Sequence, residues 1–105
     1  DNAQTTGAAV IEQLQNFRAD RAILTVAAID PDYGAMDASL DEAQIARAMI
    51  RSARSVIVLA DAGKFGRHAA FAVCATEDID LIISDVQLDK AHRKALAAKG
   101  VDLWT

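Results

Sequence analysis

Cysteine is nearly absent from this sequence, with Cys74 the only one among 105 residues. A single cysteine excludes an intramolecular disulfide and a zinc site built from several cysteines. The stretch around it, Ala-Phe-Ala-Val-Cys-Ala, is apolar, so we expect a thiol packed in the core. A disulfide-stabilised extracellular scaffold is therefore excluded, and a cytoplasmic protein is the class that fits.

Long apolar runs and an excess of positive charge are also missing. No run approaches the ~20 residues that a membrane-spanning helix needs, and residues 1–6 have neither the basic nor the apolar region of a signal peptide. The formal net charge of −4 argues against a nucleic-acid-binding surface, since phosphate backbones attract clustered cations. We expect neither membrane contact nor DNA contact within these residues.

The motifs of common cofactor and hydrolase sites do not occur. There is no G-x-G-x-x-G for a dinucleotide, no G-x-x-x-x-G-K-[ST] for a nucleotide phosphate, no H-E-x-x-H for zinc and no G-x-S-x-G nucleophile elbow. His68 and His92 are too far apart in sequence to indicate a metal pair, and we expect both to be surface or loop residues. The sequence therefore predicts neither a cofactor nor a metal.

What the sequence does contain is an alternation of helical and strand patterns. Apolar periodicity predicts helices at residues 7–17, 40–53 and 88–99. The second helix opens on the capping box Ser39-Leu-Asp-Glu42, where Glu42 fits a cap better than a ligand contact. Apolar runs predict strands at residues 21–29, 55–60, 69–74, 79–84 and 101–104. The segment Asp30-Pro-Asp-Tyr-Gly34 predicts a turn, followed by a loop through Ala38.

This alternation predicts an α/β domain with a mostly parallel sheet flanked by helices. Such a domain usually starts with a strand, whereas the first element here is a helix and only a few short strands follow. We therefore expect an incomplete domain with an N-terminal part missing, and the absence of an initiator methionine agrees with that expectation.

The most informative stretch is Asp61-Ala-Gly-Lys64-Phe-Gly-Arg67. Asp61 ends a buried apolar run, and the carboxyl ends of parallel strands form the ligand-binding edge of an α/β sheet. A carboxylate for hydroxyl groups and two cations for phosphate, next to backbone freed by Gly63 and Gly66, indicate a site for a small phosphorylated polyol. The alternative is a solvated loop in which Asp61 caps a turn.

Two more acidic residues follow strand patterns on the same expected edge. Asp30 comes directly after the run at residues 21–29, and Asp37 lies in the loop beyond it. If the strands are neighbours, both residues share one crevice with Asp61 and Lys64, although an aspartate after a strand is also a common turn starter. The candidate effector-binding residues are therefore Asp30, Asp37, Asp61, Lys64 and Arg67.

Asp85 invites a different interpretation. The stretch Asp80-Leu-Ile-Ile-Ser-Asp85 looks like the phosphoacceptor strand of a response-regulator receiver domain. A receiver also needs an acidic pair at the end of its first strand and a lysine far beyond the acceptor, and only 20 residues follow Asp85. We therefore predict that Asp85 is a turn residue at a strand end.

Five blocks of the sequence occur in the order and spacing of a known family: residues 17–24, 29–30, 42–50, 61–67 and 80–85. Across residues 7–105 the chain resembles the C-terminal effector domain of DeoR-type transcriptional regulators, above all the glycerol-3-phosphate regulon repressors. The resemblance implies a fold of the ribose-5-phosphate isomerase and CoA-transferase type. It also implies a sensor of phosphorylated sugars or polyols, with Asp61 and Lys64 at positions that the family keeps.

The resemblance further implies parts that these residues do not contain. In the family an N-terminal helix-turn-helix binds operator DNA, and a Gly/Thr-rich loop at the start of the sensor domain holds the effector phosphate. Symmetric operators favour a homo-oligomer. An acidic position that the family commonly has at one strand end is Ala27 here, and the serine hydroxyl before the lysine is lost in Asp61-Ala-Gly-Lys64. Because related isomerases need that acid, a sensor is expected, with a sugar-phosphate isomerase as the alternative.

Overall fold

Three helices and two sheets form the fold of residues 2–85 and 88–105, the residues described in this computed structural model. The helices are α1 (Asn2–Leu14), α2 (Leu40–Arg51) and α3 (Lys90–Ala98). The strands are β1 (Ala19–Thr25), β2 (Ala28–Asp30), β3 (Gly34–Asp37), β4 (Ala53–Leu59), β5 (Phe71–Cys74), β6 (Leu81–Ile83) and β7 (Asp102–Trp104). Two short 3₁₀ turns, Ala62–Lys64 and Thr76–Asp78, follow β4 and β5.

The larger sheet has four strands in the order β1-β4-β6-β7, and all its neighbours are parallel. This arrangement confirms the predicted α/β class with a parallel sheet flanked by helices. Its strand order follows the chain order, so right-handed crossovers put α2 and α3 on the same face of the sheet. The carboxyl ends of these strands accordingly meet at a single edge.

The two faces of this parallel sheet are buried to different extents. Leu24, Val58 and Ile82 are in register on the covered face and are at most 4% exposed. They belong to the main apolar core, together with Ala43 of α2 and Leu96 of α3. On the other face, the register row Thr25, Leu59, Ile83 and Trp104 includes side chains that are 38% (Leu59) and 63% (Trp104) exposed.

The smaller sheet, β2-β3-β5, is antiparallel and corrects two sequence predictions. Residues 21–29 do not form one strand, because β1 pairs with β4 while β2 pairs with β3. Residues 35–37, predicted as loop, belong to β3, all of whose residues are buried. The turn at residues 30–34 is confirmed, and it ends at Gly34, which has a φ of 88°.

The ends of the helices confirm the predicted cap at Ser39, add a cap at Asp89 and correct the end of the first helix. Ser39 caps α2, its Oγ accepting a hydrogen bond from the Glu42 amide at 3.4 Å. Asp89 caps α3 through the His92 amide at 2.8 Å, and that amide is the main reason why the pKa of Asp89 is lowered. The first helix ends at Leu14, so Phe17 is not on its buried face but 62% exposed.

Candidate functional site

A hollow of about 390 Å³ lies where β1, β4 and β6 end. We call it the carboxyl-edge hollow, and the described residues that line it are Thr25, Val26, Leu59, Ala60, Asp61, Lys64, Ile83, Ser84 and Asp85. Its polar groups therefore come from the ends of three adjacent parallel strands, β1, β4 and β6, and its floor is made of aliphatic side chains. This is the edge at which α/β sheets bind ligands.

Asp61 and Lys64 are brought together by a tight turn directly after β4. The Gly63 amide donates to Asp61 Oδ1 at 2.9 Å, and the Lys64 amide donates to the Asp61 carbonyl at 3.0 Å. The buried ring of Phe65 anchors the chain after the turn, and the Gly66 amide donates to the Ile29 carbonyl at 2.8 Å. Both ends of this segment are thus fixed to sheets.

Asp85 is the residue of this hollow that sequence reasoning missed. Asp85 follows strand β6, as predicted. Its Oδ1 accepts a hydrogen bond at 3.1 Å from the amide of Ala62, which lies in the turn after the neighbouring strand β4. The signal was present in the sequence, because Asp85 ends a buried run in the same way as Asp61. The sequence of this stretch resembles a receiver phosphoacceptor strand, but in the structure Asp85 contacts the turn that follows β4.

Asp37 lies in an adjoining hollow of about 320 Å³ between β1 and α2, together with Glu42, Ile45 and Met49. Thr25, at the end of β1, lines both hollows. Asp37 is only 6% exposed, and its Oδ1 accepts the Ala38 amide at 3.0 Å. Placing a carboxylate in such a position costs free energy unless hydrogen bonds satisfy it.

Asp30 lies elsewhere, because β2 belongs to the antiparallel sheet. Its Oδ1 accepts the amides of Asp32 (2.8 Å) and Tyr33 (3.3 Å), and its Oδ2 lies 3.0 Å from Nε2 of His68. Partial burial raises the pKa of this carboxyl, but these three hydrogen bonds lower it by more, to below its ordinary value of 3.8. Asp30 is thus the turn starter that the alternative interpretation foresaw.

The single expected crevice is therefore not what the structure shows. Asp61 and Lys64 share one hollow, Asp37 lines the adjoining one, and neither lining includes Asp30 or Arg67. Arg67 is exposed in the loop after Gly66. That any of these side chains binds an effector stays a prediction.

Residues 2–85 and 88–105 contain no cluster of three or more acidic, histidine or cysteine side chains fit to hold a metal ion. Over the same ranges, no helix has the length and apolarity needed to cross a membrane. Burial raises the pKa of the Cys74 thiol to about 11, which keeps it neutral and a poor nucleophile.

Comparison with known proteins identifies the family of this chain. The family model described as "DeoR C terminal sensor domain" matches residues 1–86. The chain is 33% identical over 97 residues to the HTH-type transcriptional repressor GlcR of Bacillus subtilis, covering 92% of this chain and 37% of that protein. It is 33% identical over 78 residues to the Glycerol-3-phosphate regulon repressor of Haemophilus influenzae, covering 74% of this chain and 31% of that repressor.

A third relative, the Putative aga operon transcriptional repressor of Escherichia coli O157:H7, is 34% identical over 92 residues, which cover 88% of this chain and 34% of that protein. The chain thus spans about a third of the length of these curated relatives. The matched residues include β1, β4, the Asp61–Lys64 turn and β6. The chain belongs to the family of DeoR C-terminal sensor domains.

Proposed function

We propose that this chain is the effector-sensing part of a DeoR-type transcriptional repressor, and that its effector is a phosphorylated sugar or polyol. The observation that carries the proposal is the meeting of Asp61 and Lys64 in one hollow at the ends of parallel strands. Glycerol 3-phosphate is the first ligand to consider, because three relatives carry the name Glycerol-3-phosphate regulon repressor.

In the proposed complex each side chain meets the group that it suits chemically. The Lys64 ammonium donates charge-assisted hydrogen bonds to the phosphate, and the Asp61 carboxylate accepts hydrogen bonds from hydroxyl groups. The aliphatic floor contacts the carbon chain. Asp37 provides an acceptor for a ligand long enough to pass Thr25, while Asp30 and Arg67 lie outside the proposed site.

The charged side chains that line the hollow are not sufficient by themselves to bind a phosphate. Its described lining has two carboxylates, Asp61 and Asp85, against the single ammonium of Lys64. A dianionic phosphate needs more donors than this, since like charges repel at such distances. We therefore propose that another part of the protein, such as the Gly/Thr-rich loop that the resemblance implies, completes the phosphate site.

The same reasoning extends to the mode of regulation. A cytoplasmic homo-oligomer with helix-turn-helix domains would bind a symmetric operator, and the effector would favour one arrangement of its subunits. A tenfold change in operator affinity requires only about 1.4 kcal/mol of coupling. One charge-assisted hydrogen bond, worth about 1.5–3 kcal/mol, is sufficient if it forms in only one arrangement.

Calorimetric titration of the complete gene product tests the proposal. Glycerol 3-phosphate, ribose 5-phosphate and glucose 6-phosphate are compared with glycerol, ribose and glucose. We expect binding by at least one phosphorylated compound, weakened about 10- to 100-fold by Lys64→Ala, because the phosphate loses a charged donor. Lys94→Ala, an exposed lysine of α3, serves as the matched control and is expected to bind normally.

Two results contradict the proposal. One is the absence of binding by all three phosphorylated compounds at millimolar concentration. The other is conversion of an aldose phosphate to a ketose phosphate by the purified protein, which would favour the isomerase alternative. We expect no conversion, because Ala27 stands where the related isomerases need an acid.

A further inference from the structure

The turn that carries Lys64 is held by two carboxylates of different origin. Asp61 Oδ1 accepts the Gly63 amide at 2.9 Å, a bond within the turn itself. Asp85 Oδ1 accepts the preceding amide, that of Ala62, at 3.1 Å, and this bond spans 23 residues. The two free amides at the start of a helical turn are thus both satisfied.

These two hydrogen bonds restrain the turn in different ways, since one lies within the turn and the other joins it to the end of β6. The Asp61 bond fixes the shape of the turn, and the residues that flank the turn, Ala60 and Gly66, are held to the two sheets by their amides. The Asp85 bond holds the start of the turn itself against the larger sheet, because Asp85 follows β6, which pairs with β4 up to Leu59–Ile83 and receives the Ala60 amide at 3.0 Å on the Ile83 carbonyl. The Ser84 hydroxyl donates to Asp85 Oδ1 at 3.5 Å and restrains the carboxylate further.

The charge of Asp85 makes a purely electrostatic role in phosphate binding unfavourable. Its side chain lines the same hollow as Lys64, where a second negative charge repels an anionic ligand. The hydrogen bond that Asp85 Oδ1 accepts from the Ala62 amide explains why a carboxylate is present there. An asparagine in the same position keeps a carbonyl oxygen for that amide, whereas an alanine does not.

We propose that Asp85 is a positioning residue for effector binding, which orients the Asp61–Lys64 turn over the carboxyl-edge hollow. This inference rests on the proposed function and extends it to a residue outside the turn. Loss of the Asp85 bond leaves the turn held only through its flanking residues, so its position over the hollow varies more, and the effector must select the competent position and binds more weakly.

Asp80 offers a matched control on the same two segments. It lies just before β6, and its Oδ2 accepts the Val56 amide of β4 at 2.7 Å. Asp80 and Asp85 are both exposed aspartates that cap an amide of the neighbouring strand segment, at opposite edges of the sheet. Replacing either one removes the same kind of bond, but only Asp85 adjoins the hollow.

The test compares Asp85→Ala, Asp85→Asn and Asp80→Ala in the complete gene product, titrated with the phosphorylated compound that the wild type binds among glycerol 3-phosphate, ribose 5-phosphate and glucose 6-phosphate. We expect Asp85→Ala to weaken binding about tenfold. Asp85→Asn is expected to regain most of the affinity, and Asp80→Ala to match the wild type in affinity even where it lowers the unfolding midpoint.

Three results overturn the inference. Normal affinity in Asp85→Ala shows that the turn needs no such support. An Asp85→Asn variant that binds about tenfold more weakly than the wild type assigns the effect to the charge rather than to the bond, and this comparison with the wild type remains if the alanine variant does not fold. An equal loss of affinity in Asp80→Ala shows that the weaker binding comes from a lower stability of the whole domain and not from the position of the turn. If the wild type itself binds none of the three compounds, the proposed function fails as well.

Discussion

The aspartates that end or follow strands use their carboxylate oxygens differently in the two sheets. In the antiparallel sheet both carboxylate oxygens of Asp30 are engaged, Oδ1 by the amides of its own turn and Oδ2 by the His68 ring. In the parallel sheet the bonds recorded for Asp61 and Asp85 among the described residues all use Oδ1. The comparison teaches that a strand-end carboxylate is a candidate ligand only if its local turn leaves one oxygen facing a hollow.

Substitution of Gly34 is expected to have the largest effect on stability, and it separates the two sheets because its contacts lie in the antiparallel sheet alone. An alanine Cβ at this position would lie 2.1 Å from the Cys74 carbonyl oxygen of β5, on a backbone whose φ is 88°. We expect Gly34→Ala to lower the free energy of unfolding by at least about 3 kcal/mol, measured by chemical denaturation.

Gly100→Ala is the control for Gly34→Ala. Gly100 has nearly the same φ, 80°, but an added Cβ meets nothing within 4 Å. Only the backbone strain applies there, about 1 kcal/mol. Equal losses in the two variants would show that the contact with β5 adds nothing to the strain.

Alanine substitutions of the two strand-end aspartates sharpen the comparison at intermediate magnitude. Asp61→Ala is expected to weaken effector binding about tenfold, because a hydroxyl acceptor is lost from the hollow. Asp30→Ala is expected to lower the free energy of unfolding by about 1–3 kcal/mol and to leave effector affinity unchanged, since Asp30 holds its own turn. Calorimetry and denaturation of both variants check this, and weaker effector binding in Asp30→Ala would refute the separation.

The pH dependence of stability gives the smallest effect. The pKa of Asp30 is lower in the folded protein than its ordinary value of 3.8. Its contribution to stability is therefore present above that value and is lost as the pH falls through the lower folded-state pKa. We expect the denaturation midpoint to drop between about pH 6 and about pH 3, and to drop less in Asp30→Asn. An identical drop in both proteins would assign the dependence to other carboxylates, such as Asp89.

Sequence reasoning predicted the parallel sheet and missed the antiparallel one for identifiable reasons. The strands predicted at residues 55–60 and 79–84 contain the continuous apolar runs 56–60 and 81–83, of the kind that parallel sheets bury, and the structure has β4 and β6 there. The break between β1 and β2 falls at Val26-Ala27, where no glycine or proline marks it. Strand β3 has four residues, all buried, so no alternation of apolar and polar residues identified it.

The site was predictable to the extent that it follows those strands. Asp61 and Lys64 were found because β4 was found, whereas Asp30 was misplaced because its strand belongs to the other sheet. Asp85 was recognised as a strand-end residue, but its bond to the Ala62 amide depends on β6 pairing with β4. Such pairing between distant segments is not encoded in any local pattern.

The open face of the parallel sheet gives the molecule a built-in optical reporter. Trp104 is the only tryptophan of the chain, and it ends the register row whose other members, Thr25, Leu59 and Ile83, line the carboxyl-edge hollow. At 63% exposure its indole is largely in water, where tryptophan emission is red-shifted. Any ligand or chain segment that comes to cover this row displaces that water, and the emission of this one residue moves to shorter wavelength.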